Sequence, residues 1–291
     1  MRLPMLLLLL AVVALAACSD SPDDGDEYGD AMSREHADDR PTPTALSTAP
    51  DSADVVTEEV VYATVGGESV TGYLARPEGV GDESRPGVIV IHEWWGLNDN
   101  IRTMAERLAA EGYVALAVDL YGGEVADTPE RARSLMSGSM ERQDELTSNV
   151  TQAYEYLTLR QNADEVGSIG WCFGGGWSLR TALALPDQLD AAVIYYGQLV
   201  TDPDRLATLD MPVLGIFGAE DEGIPVEQVR TFEQTLDSLG TDATIEVYEG
   251  AGHAFANPSG ERYVPEAAED AWEKTLDFLD RTLRGEDTDT M

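Results

Sequence analysis

The 291-residue sequence is poor in cysteine, histidine and lysine. It contains two cysteines and three histidines, so thiol or imidazole chemistry can rest on very few positions. Lysine occurs once, at Lys274, and 18 basic residues stand against 55 acidic ones, for a formal net charge of −37. Such a surface repels phosphates, which argues against nucleic acid and against an anionic lipid surface as partners.

The acidic excess has two interpretations. We favour a saline habitat, where dissolved salt screens the repulsion between carboxylates. An acidic surface that serves a particular partner is the alternative. Hydrophobic residues make up 43% of the chain and charged residues 25%. This composition allows a sizeable core and excludes global disorder.

The N-terminus has the features of an export signal. Arg2 precedes an apolar run over residues 6–15, which is too short for a membrane span and suits a secretory signal. The segment Leu15-Ala16-Ala17-Cys18 resembles a bacterial lipobox, which predicts a lipoprotein signal peptide over residues 1–17 and a lipid on Cys18. An ordinary cleaved signal is the alternative. We expect an exported protein, lipid-anchored to a bacterial membrane on its periplasmic or cell-surface side.

Composition divides the remaining chain into three parts. Residues 18–54 contain no apolar run, many aspartates and four prolines, which predicts a disordered acidic tether. Residues 55–284 have the patterns of one folded domain, and residues 285–291 form a polar tail. No repeat of fixed period is visible.

Short β-rich runs alternate with helical patterns through the domain. Two runs joined across Gly66-Gly67 predict an opening hairpin, and the apolar run 87–91 is typical of a strand buried on both faces. The strands are predicted at 60–65, 69–74, 87–91, 113–118, 166–169, 191–196, 213–217 and 243–248. Helices are predicted around 101–108 and at 129–136, 141–159, 175–185, 226–239 and 265–283. This alternation predicts a single α/β domain with a mostly parallel central sheet, helices on both faces and ligands beyond the carboxyl ends of the strands.

A candidate nucleophile follows the strand 166–169. The segment Gly170-Trp171-Cys172-Phe173-Gly174 has the glycine-x-nucleophile-x-glycine pattern of a strand-to-helix elbow, with cysteine in the place of serine. The positive end of the following helix favours a thiolate at Cys172, and the amide of Phe173 points to where an oxyanion would form. A buried structural cysteine beside packing glycines is the alternative.

A general base and an orienting acid are available downstream. His253 lies in a glycine-rich loop after the last predicted strand, and Asp221 follows the strand before it. The order nucleophile, acid, histidine is the order of this class of fold. His36 falls within the predicted tether. Two acidic neighbours are rivals of Asp221, although the spacing from the preceding glycine favours Asp221: Glu220 and Glu222.

From residue 55 to residue 284 the chain resembles the dienelactone hydrolase family of α/β-hydrolases. The motifs that carry the resemblance are the elbow at 170–175, the turn at 218–221, the loop at 250–255 and the segments 92–98 and 119–122. The resemblance implies an α/β-hydrolase fold and catalysis by Cys172, Asp221 and His253. It also gives Glu93 the role of accepting the thiol proton, and it pairs the amide of Trp94 with that of Phe173 in the oxyanion hole.

The predicted substrate pocket departs from the best-known family members, which hold a substrate carboxylate with two arginines. Asn257 stands roughly where one arginine would follow the catalytic histidine, and Arg131 or Arg133 is a candidate for the other. The loss of one arginine argues against an acidic dienelactone as substrate. The residues expected to line an aromatic pocket mouth are Trp94, Trp95, Tyr121 and Phe173.

The sequence therefore predicts hydrolysis of a carboxylic ester or lactone by a Cys-His-Asp triad through a thioester acyl-enzyme. Neither a metal nor an organic cofactor is expected, because the only clusters of possible ligands are carboxylates without a recognisable metal-binding loop. Other functions remain open on the same fold. They are a non-catalytic, ligand-binding surface lipoprotein and an acyltransferase or peptidase. For the oligomeric state, a monomer is favoured.

Overall fold

The computed structural model describes residues 29–30, 32–37, 55–79 and 84–285. The predicted signal peptide, Cys18, most of the predicted tether and residues 286–291 lie outside the described residues. Within the described ranges, no helix has the length and apolar character needed to cross a membrane.

Eight strands form one sheet in the order β1-β2-β4-β3-β5-β6-β7-β8. Their bounds are β1 Val55–Val65, β2 Glu68–Pro77, β3 Gly87–Ile91, β4 Val114–Val118, β5 Val166–Trp171, β6 Ala191–Tyr195, β7 Val213–Gly218 and β8 Ala243–Tyr248. β2 pairs antiparallel with β1 and β4, and all other neighbours are parallel. The mostly parallel sheet is confirmed, and its crossing order places β3 and β5 side by side at the centre.

Seven α-helices accompany the strands from residue 55 onward in the described part of the chain. They are α1 Asp99–Ala110, α2 Pro129–Met140, α3 Gln143–Arg160, α4 Phe173–Ala184, α5 Pro203–Leu206, α6 Val226–Leu239 and α7 Pro265–Leu279, which continues as a π-helical turn over Asp280–Arg284. Asn98 and Thr128 cap α1 and α2 by accepting hydrogen bonds from first-turn amides. Every residue of β3, β4, β5, β6 and β7 is buried, as expected for strands covered on both faces.

The start of α4 differs from the prediction. The glycines at 174–176 favour a helix start at residue 175, because glycine is a weak helix former. The helix instead begins at Phe173, and its first turn packs closely against the ends of β3 and β6. A β-carbon placed on Gly174 would lie 2.3 Å from the carbonyl oxygen of Ile91, and one on Gly175 would lie 2.3 Å from that of Tyr195. The glycines are therefore required by close packing.

The predicted tether needs a correction over residues 29–37. Except for residue 31, which lies outside the described residues, this stretch forms a short helical turn against the domain. We call it the N-terminal segment. Met32 and His36 are buried in it, although the surrounding sequence has no apolar run. A segment of this kind needs no core of its own, because it uses a surface that the domain already provides.

Candidate active site

Cys172 occupies a strained corner between β5 and α4. Its backbone has φ +55° and ψ −118°, a region that residues with a side chain rarely adopt. A β-carbon on Gly170 would lie only 2.1 Å from the carbonyl oxygen of Gly174, so the corner is too tight for any other residue there. Phe173 opens the helix, and its amide has no acceptor within the first helical turn. The corner thus presents a thiol and an N–H group together.

His253 and Asp221 form a buried hydrogen-bonded pair. His253 Nδ1 lies 2.8 Å from Asp221 Oδ2, and both side chains are fully shielded from solvent. The other carboxylate oxygen of Asp221 accepts hydrogen bonds of 2.8 Å from the amides of Gly223 and Ile224. These bonds fix the carboxylate, so Asp221 can orient the imidazole. The sequence rivals Glu220 and Glu222 do not make this contact among the hydrogen bonds of the described residues.

Backbone contacts hold the acid turn against the histidine loop. The amide of Glu220 donates to the carbonyl of Ala251 at 2.9 Å, and the amide of Ala219 donates to that of Tyr248. A β-carbon on Gly218 would lie 2.4 Å from the carbonyl oxygen of Ala251, so the two loops touch. Since β7 and β8 are parallel neighbours, both loops leave the same edge of the sheet. The pair His253–Asp221 follows from this register.

Burial and charge act in opposite directions on His253. Burial lowers its pKa, but the charges of Asp221 and Cys172 outweigh burial and place the pKa of His253 well above its ordinary value. A hydrogen bond with the side chain of Cys172 also raises the pKa of His253. With Nδ1 held by Asp221, Nε2 is the nitrogen left to exchange a proton with Cys172 or a substrate.

Glu93 is buried directly after β3 and is held by an amide. Asn257 Nδ2 donates to Glu93 Oε2 at 2.7 Å, and the Oδ1 atom of Asn257 accepts from the amide and hydroxyl of Ser259 at 2.8 and 2.6 Å. Because Oδ1 faces two donors, the amide group can only turn its NH2 toward Glu93. Asn257 therefore contacts the carboxyl group of Glu93.

A small cavity joins these groups. It is lined by five residues that the sequence predicts at one site: Glu93, Trp94, Trp95, Cys172 and Asn257. The other lining residues are His36, Ala254, Ser259, Gly260 and Arg262. The space in the cavity is about 10 Å³.

Several residues expected at the pocket lie elsewhere. Tyr121 is buried behind it, with its ring 4.6 Å from that of His92 and 5.4 Å from that of Phe173. Neither Tyr121 nor the ring of Phe173 lines the cavity. Arg131 and Arg133 are exposed on α2 and pair with Glu124 and Asp30, and neither lines the cavity. The resemblance to the family is loose around these arginines, so it did not show which way their side chains point.

Three titratable residues at the site were not identified from the sequence as site residues. Arg262 lies nine positions beyond His253, in a loop whose path no local pattern predicts. His36 and Glu35 belong to the N-terminal segment. Ligand atoms of Glu35, Asp221 and His253 lie within 4.8 Å of one another, a grouping that could also hold a metal ion. Two members of that group already hydrogen-bond to each other, which favours the acid–base reading.

Known proteins share this architecture. The profile of the dienelactone hydrolase family matches residues 70–283. A candidate carboxymethylenebutenolidase of Aquifex aeolicus is 33% identical over 225 residues, which cover 75% of this chain and 96% of the relative. A crystal structure of a candidate dienelactone hydrolase from Klebsiella pneumoniae is similar with a TM-score of 0.68 and 31% identity, covering 76% of this chain and 97% of that one.

A dienelactone-hydrolase-like promiscuous phosphotriesterase from metagenomic libraries is also similar, with a TM-score of 0.71 and 26% identity over 79% of this chain and 99% of that chain. These proteins are matched over almost their whole lengths, so the resemblance extends to the complete domain. It includes the central sheet and the loops that hold Cys172, Asp221 and His253. The chain therefore belongs to the dienelactone hydrolase family, within the α/β-hydrolase fold.

Proposed function

We propose that this chain, a hydrolase that acts on esters or lactones, cleaves its substrate with Cys172 as nucleophile, His253 as general acid and base, and Asp221 as the orienting acid. One observation carries the proposal. The buried 2.8 Å bond between His253 Nδ1 and Asp221 Oδ2 leaves Nε2 available beside a cysteine in a strained elbow. The same division of roles recurs in unrelated hydrolases with a nucleophile, histidine and acid.

Acylation begins with attack of the Cys172 sulfur on the carbonyl carbon. The new S–C bond converts the carbonyl into a tetrahedral oxyanion, which the amides of Trp94 and Phe173 stabilise. The N-terminus of α4 favours the thiolate, and no acidic residue occurs in the first turn of that helix to oppose it. His253 then donates its proton to the leaving oxygen, and the C–O bond breaks to give a thioester.

Deacylation uses the same groups in reverse. His253 accepts a proton from water, whose oxygen attacks the thioester carbonyl, and the S–C bond breaks to release a carboxylic acid. Asp221 stabilises the imidazolium in both steps. No redox partner is needed, since each half-reaction only exchanges protons and an acyl group.

Glu93 has a distinct role in this scheme. It lines the same cavity as Cys172, and Asn257 holds one of its oxygens. We propose that Glu93 takes the thiol proton when substrate enters, which generates the thiolate only where it is used. A thiol that is neutral before substrate binds resists oxidation, a hazard outside the cytoplasm.

Trapping the acyl-enzyme tests the triad. Purified protein mixed with p-nitrophenyl acetate and quenched in acid should carry an acetyl group on the Cys172 peptide in mass spectrometry, with release of p-nitrophenol. Cys172→Ala should abolish both signals, and His253→Ala should lower turnover by about three orders of magnitude or more. Cys18→Ser, which removes the other cysteine, is the control and should behave like the parent protein.

Turnover that survives in Cys172→Ala would overturn the assignment of the nucleophile. A binding protein on this fold would be favoured by two results together. The parent protein would turn over no member of a broad panel of esters and lactones, and the parent and Cys172→Ala would bind one of these compounds with equal affinity.

We also propose that the protein is exported and lipid-anchored through Cys18, in a setting of high salt. The lipobox-like segment 15–18 and the net charge of −37 support this. In a bacterial host, parent protein should partition into the detergent phase and incorporate a labelled fatty acid, whereas Cys18→Ser should do neither. Labelling of Cys18→Ser equal to the parent would contradict the anchor.

A further inference from the structure

The N-terminal segment lies directly over the cavity beside Cys172. Met32 is fully buried and His36 is 2% exposed, whereas Arg34 between them is exposed. This one-sided burial shows which face of the short turn contacts the domain. The contact is made to the predicted catalytic groups themselves.

His36 is the centre of the contact. Its ring is tilted against that of Trp94, with centroids 5.1 Å apart, and meets the ring of His253 edge to face at 5.3 Å. Arg262 Nη1 also donates to His36 Nδ1 at 2.9 Å. His36 thus touches the loops that follow β3 and β8, which carry the proposed oxyanion hole and the proposed general base.

Two further contacts fix the segment on either side of His36. The Cε atom of Met32 fills the space above Gly223, where an added β-carbon would lie 2.0 Å from it. Asp30 forms an ion pair with Arg133 on α2. The segment is therefore attached to the acid turn and to α2 as well as to the cavity.

The volume of the cavity shows whether a substrate fits beside Cys172 while the N-terminal segment is docked. About 10 Å³ remains beside Cys172, roughly the volume that one water requires. Pockets that bind small organic molecules enclose about 300–1,000 Å³. An ester or lactone therefore cannot reach Cys172 while His36 occupies its place, and the docked segment and a bound substrate exclude each other.

We propose that the N-terminal segment is an autoinhibitory plug, which must leave before substrate reaches Cys172. The proposal rests on the proposed function for its biological meaning, since the plug closes the site at which catalysis is assigned. A turn of this length is marginal on its own and is held by a few side chains, so local opening is expected without unfolding of the domain. Only the open fraction of molecules binds substrate, and the apparent affinity falls by that fraction.

The plug also couples substrate binding at the cavity to any interaction that displaces the N-terminal segment. By linkage, a substrate analogue that occupies the cavity should release the segment, and a ligand or tether that displaces the segment should raise the affinity for substrate by the same factor. Of the two, release by a substrate analogue is measurable on the isolated protein.

The test measures access to Cys172 in the full-length chain by its rate of alkylation with dilute iodoacetamide at low salt. His36→Ala should speed labelling by about tenfold or more. Because His36 also touches His253, a variant remote from the triad is needed. Asp30→Arg and Arg133→Asp each replace an ion pair by repulsion and should speed labelling by about two- to fivefold. The combined charge swap should restore the slow rate.

Arg34→Ala, in the same segment but exposed, is the matched control and should label like the parent. In Asp30→Arg, whose substituted residue does not line the cavity, KM for a p-nitrophenyl ester should fall while kcat changes little. Equal labelling rates in all variants would overturn the plug, as would a charge swap that labels as fast as its two single variants. Labelling requires no turnover, so this result is independent of whether the proposed hydrolysis is observed.

Discussion

Asn257 Nδ2 lies 2.7 Å from Glu93 Oε2, which joins two residues 164 positions apart inside the active-site cavity. The amide supplies a hydrogen bond but no charge. In Asn257, Glu93 therefore has an uncharged hydrogen-bond partner. The hydrogen bond from Asn257 holds one carboxylate oxygen of Glu93 in place.

Asn257→Ala should lower kcat/KM by about one to two orders of magnitude, with a smaller loss of stability. A hydrogen bond to a charged group contributes about 1.5–3 kcal/mol, and the variant leaves Glu93 buried without this donor. Steady-state kinetics on one ester, with circular dichroism to verify folding, measures the effect. Ser259→Ala is the graded control, since it removes only one of two hydrogen bonds to Asn257 Oδ1. Wild-type kcat/KM in Asn257→Ala would exclude a positioning role.

This contact shows where sequence reasoning ends. The family resemblance predicted a pocket position at Asn257, but only the folded loops show that Asn257 donates a hydrogen bond to Glu93. Strands and helices were predicted well because burial on both faces leaves unbroken apolar runs such as 87–91, and because Val229, Phe232 and Leu236 repeat at helical spacing on α6. Such periodicity reports what an element buries, not which loop side chains meet.

The N-terminal segment was missed for a related reason. Its residues are mostly acidic and small, a composition that predicts an unfolded chain. Met32 and His36 are buried because Gly223 and Trp94 already form a receptive surface, and nothing local to residues 29–37 encodes that surface. The prediction for Arg131 shows the converse. Its side chain has the chemistry expected of a substrate clamp, but it is exposed on α2 and pairs with Glu124.

Gly170→Ala should prevent formation of the native elbow. The added methyl group would lie 2.1 Å from the carbonyl oxygen of Gly174, and the other close atoms are also backbone atoms of residues 174 and 175, which cannot move aside like a side chain. Overpacking of this kind costs about 1–3 kcal/mol or more, so we expect a large fall in the urea midpoint or loss of soluble protein. Gly138→Ala on α2 is the control, because its β-carbon would meet nothing within 4 Å.

The control should be neutral or more stable by about 0.5–1 kcal/mol, since alanine is the better helix former. If Gly170→Ala unfolds at the same urea concentration as the parent, as the control is allowed to do, the tight corner assigned to Cys172 is wrong.

His92 hydrogen-bonds two backbone groups beside the candidate active site. Leu120 N–H donates to His92 Nε2 at 3.1 Å, so Nε2 is an acceptor and Nδ1 carries the proton that it donates to the carbonyl of Glu93 at 2.6 Å. Burial lowers the pKa of His92, which keeps the ring neutral. His92→Phe retains the ring contacts with Tyr121 and Phe173 but removes both hydrogen bonds, at a cost of about 1–3 kcal/mol for each group left unsatisfied.

The pH dependence gives a second measure of the same residue. In the unfolded chain His92 binds a proton near pH 6.5, whereas the folded protein resists protonation. Its contribution to stability is therefore complete above about pH 6.5 and is lost as the pH falls below that value. The difference in urea midpoint between the parent and His92→Phe should shrink from pH 7.5 to pH 5.5. A constant difference would contradict a neutral His92.

Glu165 and Asp190 should give the opposite pH dependence at the start of β5. A hydrogen bond between the two side chains, with burial and the charge of Asp190, raises the pKa of Glu165 to about 7. The folded state thus binds a proton more tightly than the unfolded state, so the contribution to stability is complete below about pH 4.5 and is lost as the pH rises through 7.

Glu165→Gln keeps a hydrogen-bond donor toward Asp190 and removes the titration. Relative to the parent, its urea midpoint should be unchanged near pH 4.5 and higher at pH 8, by a small amount that salt reduces further, because Glu165 is largely solvated. Glu78→Gln removes a charge from an exposed position after β2 and serves as the control for net charge. If both variants gain equally at pH 8, the gain comes from the acidic surface as a whole and the shared proton of Glu165 and Asp190 is refuted.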